Sequence, residues 1–213
     1  MAVKEIFFKG GILMYPLLFL SILAGGVIIE RLIYFFWLSR KEAGILDRLL
    51  SLTESGDIAN CERECEPGKG PFHNLFRSWL NLMKLNPARL EAEIEHLGSK
   101  LLEEMERGLS ILSVTGQIAP LLGLLGTVVG MIRAFMVVEN LGGRVNASVL
   151  AGGIWEALLT TAFGLSIAIP SLLFYYYFEK KVDGYEIKLH RLGHQLLHLA
   201  EGRKDGASAS EKD

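Results

Sequence analysis

Three uncharged apolar runs constrain this chain more than any other feature of its sequence. They extend over residues 12–29, 110–132 and 157–178 and contain 18, 23 and 22 residues. A helix of about 20 residues, rising about 1.5 Å per residue, crosses a hydrocarbon core about 30 Å thick. We therefore expect an all-α membrane protein with three transmembrane helices.

The distribution of lysine and arginine predicts the orientation of these spans. Ten of these residues lie between positions 40 and 107, and seven follow position 178. The N-terminal segment has only Lys4 and Lys9, and the loop between the second and third spans, residues 140–151, has only Arg144. Because cytoplasmic segments are enriched in positive charge, we expect the N-terminus outside and the C-terminus in the cytoplasm.

Helical periodicity outside the spans predicts how the rest of the chain is organised. Apolar residues recur every three or four positions along residues 90–112 and 189–199, which indicates two charged helices that bury a stripe in a cytoplasmic bundle. Asn86 and Pro87 resemble the start of a helix. The expected segments are 1–38 with the first span, 39–86 with short cytoplasmic helices, 87–139 as one long helix continuing into the second span, 140–151 as a periplasmic loop, 152–200 as the third span continuing into a cytoplasmic helix, and 201–213 as a disordered tail.

Small residues recur at helical spacing on the second and third spans. Thr127 and Thr161 each lie near the middle of such a stripe, whereas Thr160 is expected one position away from it. Small residues let helix backbones approach closely. The pattern allows tight packing alone or, because of the two hydroxyls, a narrow lining that water can enter. The glycines expected to pack the pore helices are Gly123, Gly126, Gly130 and Gly164.

Few charged residues lie close to the spans. Arg133 and Glu156 lie toward the same end of the second and third spans, where they can form a salt bridge, or Glu156 can act in proton transfer. Glu30 and Arg31 adjoin the end of the first span, and we expect them to anchor it. No titratable residue lies at mid-depth, so a proton pathway here needs a titratable group from another polypeptide.

Two longer motifs resemble those of a known family. Residues 119–131 read APLLGLLGTVVGM, and residues 156–170 read EALLTTAFGLSIAIP. Together with the first span, they resemble the MotA/TolQ/ExbB proton-channel family and most closely its ExbB-type members. Three spans rather than four disfavour a MotA-type flagellar stator. The sequence departs from the family at Arg133, where a neutral polar residue or histidine is usual.

The resemblance implies a motor in the bacterial inner membrane, with a periplasmic N-terminus. Five copies would surround two single-span ExbD-like or TolR-like proteins, whose aspartate takes up and releases protons. It also implies that Thr127, Thr161 and Glu156 line or support the proton pathway. The homopentamer would use the proton motive force to energise a TonB-like outer-membrane transport system. A TolQ-like subunit of an envelope-integrity system and a passive oligomeric scaffold are the alternatives.

Other functions have less support in the sequence. There is no phosphate-binding glycine loop or nucleophile elbow, so we expect neither enzyme activity nor a cofactor. The basic residues form no aromatic-interleaved stripe, which argues against nucleic-acid binding. We expect Cys61 and Cys65 to be reduced thiols rather than metal ligands. The row of His190, His194 and His198 has the spacing of a metal site, but without neighbouring carboxylates we expect a solvated face.

Overall fold

The computed structural model describes residues 11–41, 44–65, 70–85, 89–140 and 147–210. Seven helices and no strand occur in these ranges. The helices are α1 Met14–Lys41, α2 Ile45–Glu54, α3 Ile58–Glu64, α4 Pro71–Leu85, α5 Leu90–Glu106, α6 Leu109–Asn140 and α7 Ala147–Ser210.

Three of these helices are long and apolar enough to cross a bilayer. The candidate spans are Met14–Arg40, Leu109–Asn140 and Leu150–Glu201, and they contain 27, 32 and 52 residues. Each exceeds the roughly 20 residues that a hydrocarbon core requires. The predicted fold class, an all-α membrane protein with three spans, is therefore confirmed.

The expected single helix over residues 87–139 is wrong, because the chain turns at Arg107 and Gly108. Helix α5 ends at Glu106 and α6 begins at Leu109. Gly108 has a φ of 79°, the left-handed conformation that commonly ends a helix and favours glycine. A Cβ atom on Gly108 would also lie 3.2 Å from Cγ1 of Val27, so the turn depends on a residue without a side chain. The proposed helix start at Asn86 and Pro87 lies outside the described residues.

Helix α7 is longer than the expected residues 152–200. It begins at Ala147 and continues to Ser210, whereas the composition after Glu201 suggested disorder. Pro170 is its only internal proline, and the helix continues through Gly202 and Gly206, the poor helix formers that made the expected tail resemble a disordered segment. Residues 211–213, the rest of the expected tail, lie outside the described part of the chain.

The described chain divides into two compact units. Residues 11–31 with Gly108–Phe178 form the first, which we call the membrane unit, and Leu32–Arg107 with residues 179–210 form the second, the polar unit. In the membrane unit, Met14 and Leu17 of α1 belong to one apolar cluster with Ala119 of α6 and Ala168 of α7.

The polar unit is a bundle of amphipathic helices with its own core. Phe72 of α4 packs on Tyr185 of α7, with ring centroids 5.1 Å apart. Gly193 of α7 lies against Ile94 of α5, since a Cβ atom there would come within 2.7 Å of Cγ2 of Ile94. The predicted stripes supply much of this core, and their fully or nearly fully buried members are Leu90, Leu101, Met105, Leu189, Leu192 and Leu196.

Candidate functional site

Small side chains form the faces on which α6 and α7 meet. Gly130 lies against Ala157, and Gly153 against Ala134, so the two helices run antiparallel. The buried positions recur every three or four residues, which keeps them on one face of each helix. They include Gly116, Ala119, Gly123, Gly126, Gly130 and Ala134 on α6, and Ala157, Thr160, Gly164, Ala168 and Ser171 on α7.

The two backbones are in direct contact at Gly123 and Gly164. A Cβ atom on Gly123 would lie 2.9 Å from Cα of Thr161, and one on Gly164 would lie 2.5 Å from the carbonyl oxygen of Ala119. Nonbonded carbon atoms prefer separations of about 3.5–4.0 Å. Any side chain at either glycine would therefore force the helices apart. In lipid, close packing of this kind holds helices together in place of the hydrophobic effect.

The hydroxyl of Thr161 links the two helices. It donates a hydrogen bond to the carbonyl oxygen of Gly123, with 2.9 Å between the oxygens. The bond crosses between helices instead of capping the backbone of α7, because Gly123 has no side chain to hold the helices apart. The hydroxyl has one proton to donate, and its oxygen retains lone pairs that can accept a hydrogen bond from water or from a protonated acid.

Thr160, which the sequence placed off the small-residue face, belongs to it. Its side chain is 2% exposed and lies directly against Gly126, where a Cβ atom would collide with its hydroxyl. The hydroxyl donates to the carbonyl oxygen of Ala157, 2.7 Å away in the same helix. The spacing of Thr160 from Ala157 and Gly164, three and four residues, is the sequence signal that could have identified it.

Thr127 lies beside the small-residue face, and Gly126 takes the place expected for it. The Thr127 hydroxyl donates to the carbonyl oxygen of Leu124, 2.6 Å away in the same helix. The half-buried side chain lines an open groove of about 550 Å³ together with Val128, Met131 and Phe135. The described residues that line this groove all belong to α6. Thr127 and Thr161 therefore do not share one lining within the described chain.

Arg133 and Glu156 come together at the end of the membrane unit where α6 ends and α7 begins. Nη1 of Arg133 lies 3.4 Å from Oε1 of Glu156, and their side chains are 54% and 30% exposed. Gly11, just before α1, lies directly against the same carboxylate. The structure thus brings the two residues together as a salt bridge, and it adds a third element that the sequence did not reveal.

Glu30 and Arg31 form an ion pair with two contacts on α1. Nε and Nη2 of Arg31 lie 2.5 and 2.6 Å from the two carboxylate oxygens of Glu30. The Arg31 side chain is 4% exposed and that of Glu30 is 58% exposed. A buried guanidinium needs such a partner because an unpaired buried charge is costly. This arrangement suits the anchoring role expected for the pair.

Both cysteines are buried in the polar unit. Burial, together with the nearby charges of Asp57 and Glu62, raises the pKa of Cys61 from 9.0 to about 11. A thiol must lose its proton to bind a metal or act as a nucleophile. Cys61 is therefore poorly suited to either role.

The histidine row of α7 does have neighbouring carboxylates, contrary to expectation. Nε2 of His190 lies 3.8 Å from Glu186, and Nδ1 of His198 lies 3.9 Å from Glu201. These side chains are exposed, and each pair lies within one helical turn. Among the residues that the structure describes, no three histidine, cysteine or acidic side chains are grouped so that they could hold a metal ion.

The fold and the α6–α7 contact define a class, namely helical membrane proteins whose spans associate through small residues. Residues 68–190 match the family model described as the MotA/TolQ/ExbB proton channel family. The match covers more than half of the chain. The chain therefore belongs to the MotA/TolQ/ExbB proton channel family.

Individual relatives agree with this assignment. An ExbB-like biopolymer transport protein of Synechocystis is 37% identical over 177 residues, which cover 78% of this chain and 66% of the relative. The biopolymer transport protein ExbB of Pseudomonas putida is 31% identical over 169 residues, covering 75% of this chain and 49% of the relative. The corresponding protein of Salmonella typhimurium is 37% identical over 123 residues, covering 57% of this chain and 48% of the relative. The chain thus spans from about half to about two thirds of the length of these relatives.

Proposed function

We propose that this chain is a subunit of a homopentameric inner-membrane motor driven by the proton motive force. With an ExbD-like single-span partner it would energise a TonB-like outer-membrane transport system, without a cofactor and without enzymatic chemistry. The hydrogen bond from Thr161 to Gly123 supports this proposal most directly, because it fixes a hydroxyl where the close-packed stretches of α6 and α7 contain no charged residue.

The chemistry of the spans suits a partner that carries the proton. The runs 110–132 and 157–178 contain no charged residue, so the titratable group would be an aspartate of the partner. The oxygens of Thr161 and Thr127 can accept a hydrogen bond from that acid or from a water beside it. One proton moving down 100 mV releases about 2.3 kcal/mol, so a few protons per step can drive conformational work.

The groove on α6 supports assembly with other helices. Val128, Ile132 and Phe135 line it and are 49%, 53% and 56% exposed. In the proposed ring, neighbouring copies or the partner helix cover these side chains, with Thr127 facing the partner. Native mass spectrometry in mild detergent should show pentamers with the partner bound, and monomers alone would contradict the ring.

In the proposed orientation, the N-terminus is periplasmic and the C-terminus cytoplasmic. The surplus of lysine and arginine between residues 40 and 107 and after residue 178 supports it. A topology reporter placed at Gly142 should be periplasmic, and one fused after Asp213 should be cytoplasmic. The reverse labelling would contradict the orientation.

Isolation of the complex from cells tests the function. The tagged chain should retain a single-span protein with an aspartate in its span, and the uptake that it supports should stop when a protonophore collapses the proton gradient. Recovery of homo-oligomers with no such partner would indicate a passive scaffold. A partner together with loss of envelope integrity, but with normal uptake, would indicate a TolQ-like role.

A further inference from the structure

One carboxylate lies where three elements of the membrane unit meet. Glu156 of α7 pairs with Arg133 of α6, and Gly11 precedes α1 and lies against the same carboxylate. A Cβ atom on Gly11 would collide with Oε1 of Glu156 and would lie 3.3 Å from its Cδ atom and 3.7 Å from Nη1 of Arg133. The space occupied by the carboxylate therefore exists only because residue 11 has no side chain.

Two other glycines show that this requirement is separate from backbone conformation. Gly11, Gly44 and Gly56 have φ angles of 72°, 73° and 72°, all in the left-handed region that favours glycine. A Cβ atom on Gly44 or Gly56 would meet nothing within 4 Å. Of these three residues, only Gly11 combines the unusual φ with a contact that a methyl group would destroy.

We propose that Gly11 is a positioning residue, which holds the Glu156 carboxylate between the start of the first span and Arg133. The positive end of the α1 helix dipole also favours an anion at this point. The first span would thereby fix the position of a charge at the mouth of the proton pathway, and this consequence rests on the proposed function.

A methyl group on Gly11 should displace the carboxylate from Arg133. The carboxylate would have to move by roughly 1 Å to restore ordinary contact distances to the new methyl group. A misplacement of about 1 Å can lower the rate supported by a functional group roughly a hundredfold. We expect Gly11→Ala to lower energised uptake by roughly ten- to a hundredfold. Gly44→Ala, which introduces the same backbone strain into open space, should have a much smaller effect.

Rescue by a shorter acid distinguishes positioning from general damage. In the double variant Gly11→Ala with Glu156→Asp, the side chain at position 156 is one methylene shorter, which leaves room for the new methyl group. Uptake by the full chain with its partner should then exceed that of Gly11→Ala alone. Equal or lower uptake in the double variant would overturn the proposal.

Thermal unfolding of the complex in mild detergent tests the contact independently of transport. Gly11→Ala should lower the Tm less in a Glu156→Ala background than in the wild-type chain, because the collision is then absent. Equal shifts in both backgrounds would overturn the positioning role, whatever the uptake. A smaller decrease in Tm in the Glu156→Ala background would support the positioning role even if the wild-type complex shows no proton-driven uptake. That absence of uptake would refute the proposed function. If the Gly11→Ala chain does not accumulate in cells, its accumulation in the Glu156→Ala background would support the positioning role. Failure to accumulate in that background as well would overturn it.

Discussion

Replacing Gly123 by alanine tests the backbone contact between α6 and α7. The new Cβ atom would lie 2.9 Å from Cα of Thr161 and 3.1 Å from the carbonyl oxygen of Thr160. Ordinary contact needs about 3.5–4.0 Å, so the helices must separate by roughly 0.5–1 Å at this point. Overpacking of this kind costs about 1–3 kcal/mol, and weakening the Thr161 hydrogen bond costs about 0.6 kcal/mol more. The higher helix propensity of alanine offsets about 1 kcal/mol of this cost, so we expect a net loss of about 0.5–2.5 kcal/mol in the free energy of unfolding.

Denaturant titration in mild detergent measures this loss. Gly152→Ala on α7 is the matched control, because a Cβ atom there meets nothing within 4 Å. Both substitutions bring the same gain in helix propensity, about 1 kcal/mol, so the difference between the two variants isolates the contact. If Gly123→Ala is as stable as Gly152→Ala, the close approach of the helices is refuted.

Three further predictions concern charge. The single replacements Arg133→Ala and Glu156→Ala should together cost more stability than the double replacement, because each single replacement leaves one charge without its partner. Unfolding in detergent measures these costs, and strictly additive values would contradict the pairing of the two residues. Cys61 should resist alkylation at about pH 8 in the folded chain, because its raised pKa keeps it a thiol, and modification as fast as that of a free thiol would contradict this. Because the pKa of Cys61 is about 11 in the folded state against 9.0 for a free thiol, its contribution to stability should be present below pH 9 and disappear as the pH rises to about 11. If the free energy of unfolding varies with pH in the same way in the wild-type chain and in Cys61→Ala, the raised pKa of Cys61 is contradicted.

The spans were predictable because their signal does not depend on tertiary context. An uncharged run of 18 to 23 residues is long enough to cross a bilayer whatever it packs against. The turn at Gly108 was not predictable from the sequence. Glycines also occur inside helices of this chain, at Gly98 and Gly116 for example, so a glycine alone does not mark a break. The contact of Gly108 with Val27 depends on the folded arrangement.

The small-residue face was predicted to within one position on each helix. A stripe through Gly123, Thr127 and Gly130 has spacings of four and three, and one through Gly123, Gly126 and Gly130 has spacings of three and four. Both fit a helix of 3.6 residues per turn. The partner helix decides between them, because Thr160 fills the space that Gly126 leaves open.

The approach of Arg133 to Glu156 was within reach of sequence reasoning, whereas the role of Gly11 was not. Counting residues outward from the middle of two antiparallel helices places both charges at similar depth. No such count applies to Gly11, because it precedes a different helix and its contact depends on how α1 packs in the membrane unit. Its only signal is the lack of a side chain, which many glycines of this chain share.

Energised uptake by cells that carry Thr161→Val is the most direct test of a functional hydroxyl between the spans. Valine matches threonine in shape but cannot donate to Gly123 or accept from the partner's acid. Ser166→Ala is the control, since Ser166 is exposed and its hydroxyl donates to the carbonyl oxygen of Ala162 in the same helix, 2.8 Å away. Thr160→Val cannot serve, because Thr160 is buried against Gly126. We expect Thr161→Val to assemble and bind its partner but to lose proton-driven uptake, while Ser166→Ala retains it. Wild-type uptake in Thr161→Val, or equal loss in both variants, would contradict a role for this hydroxyl in proton transfer.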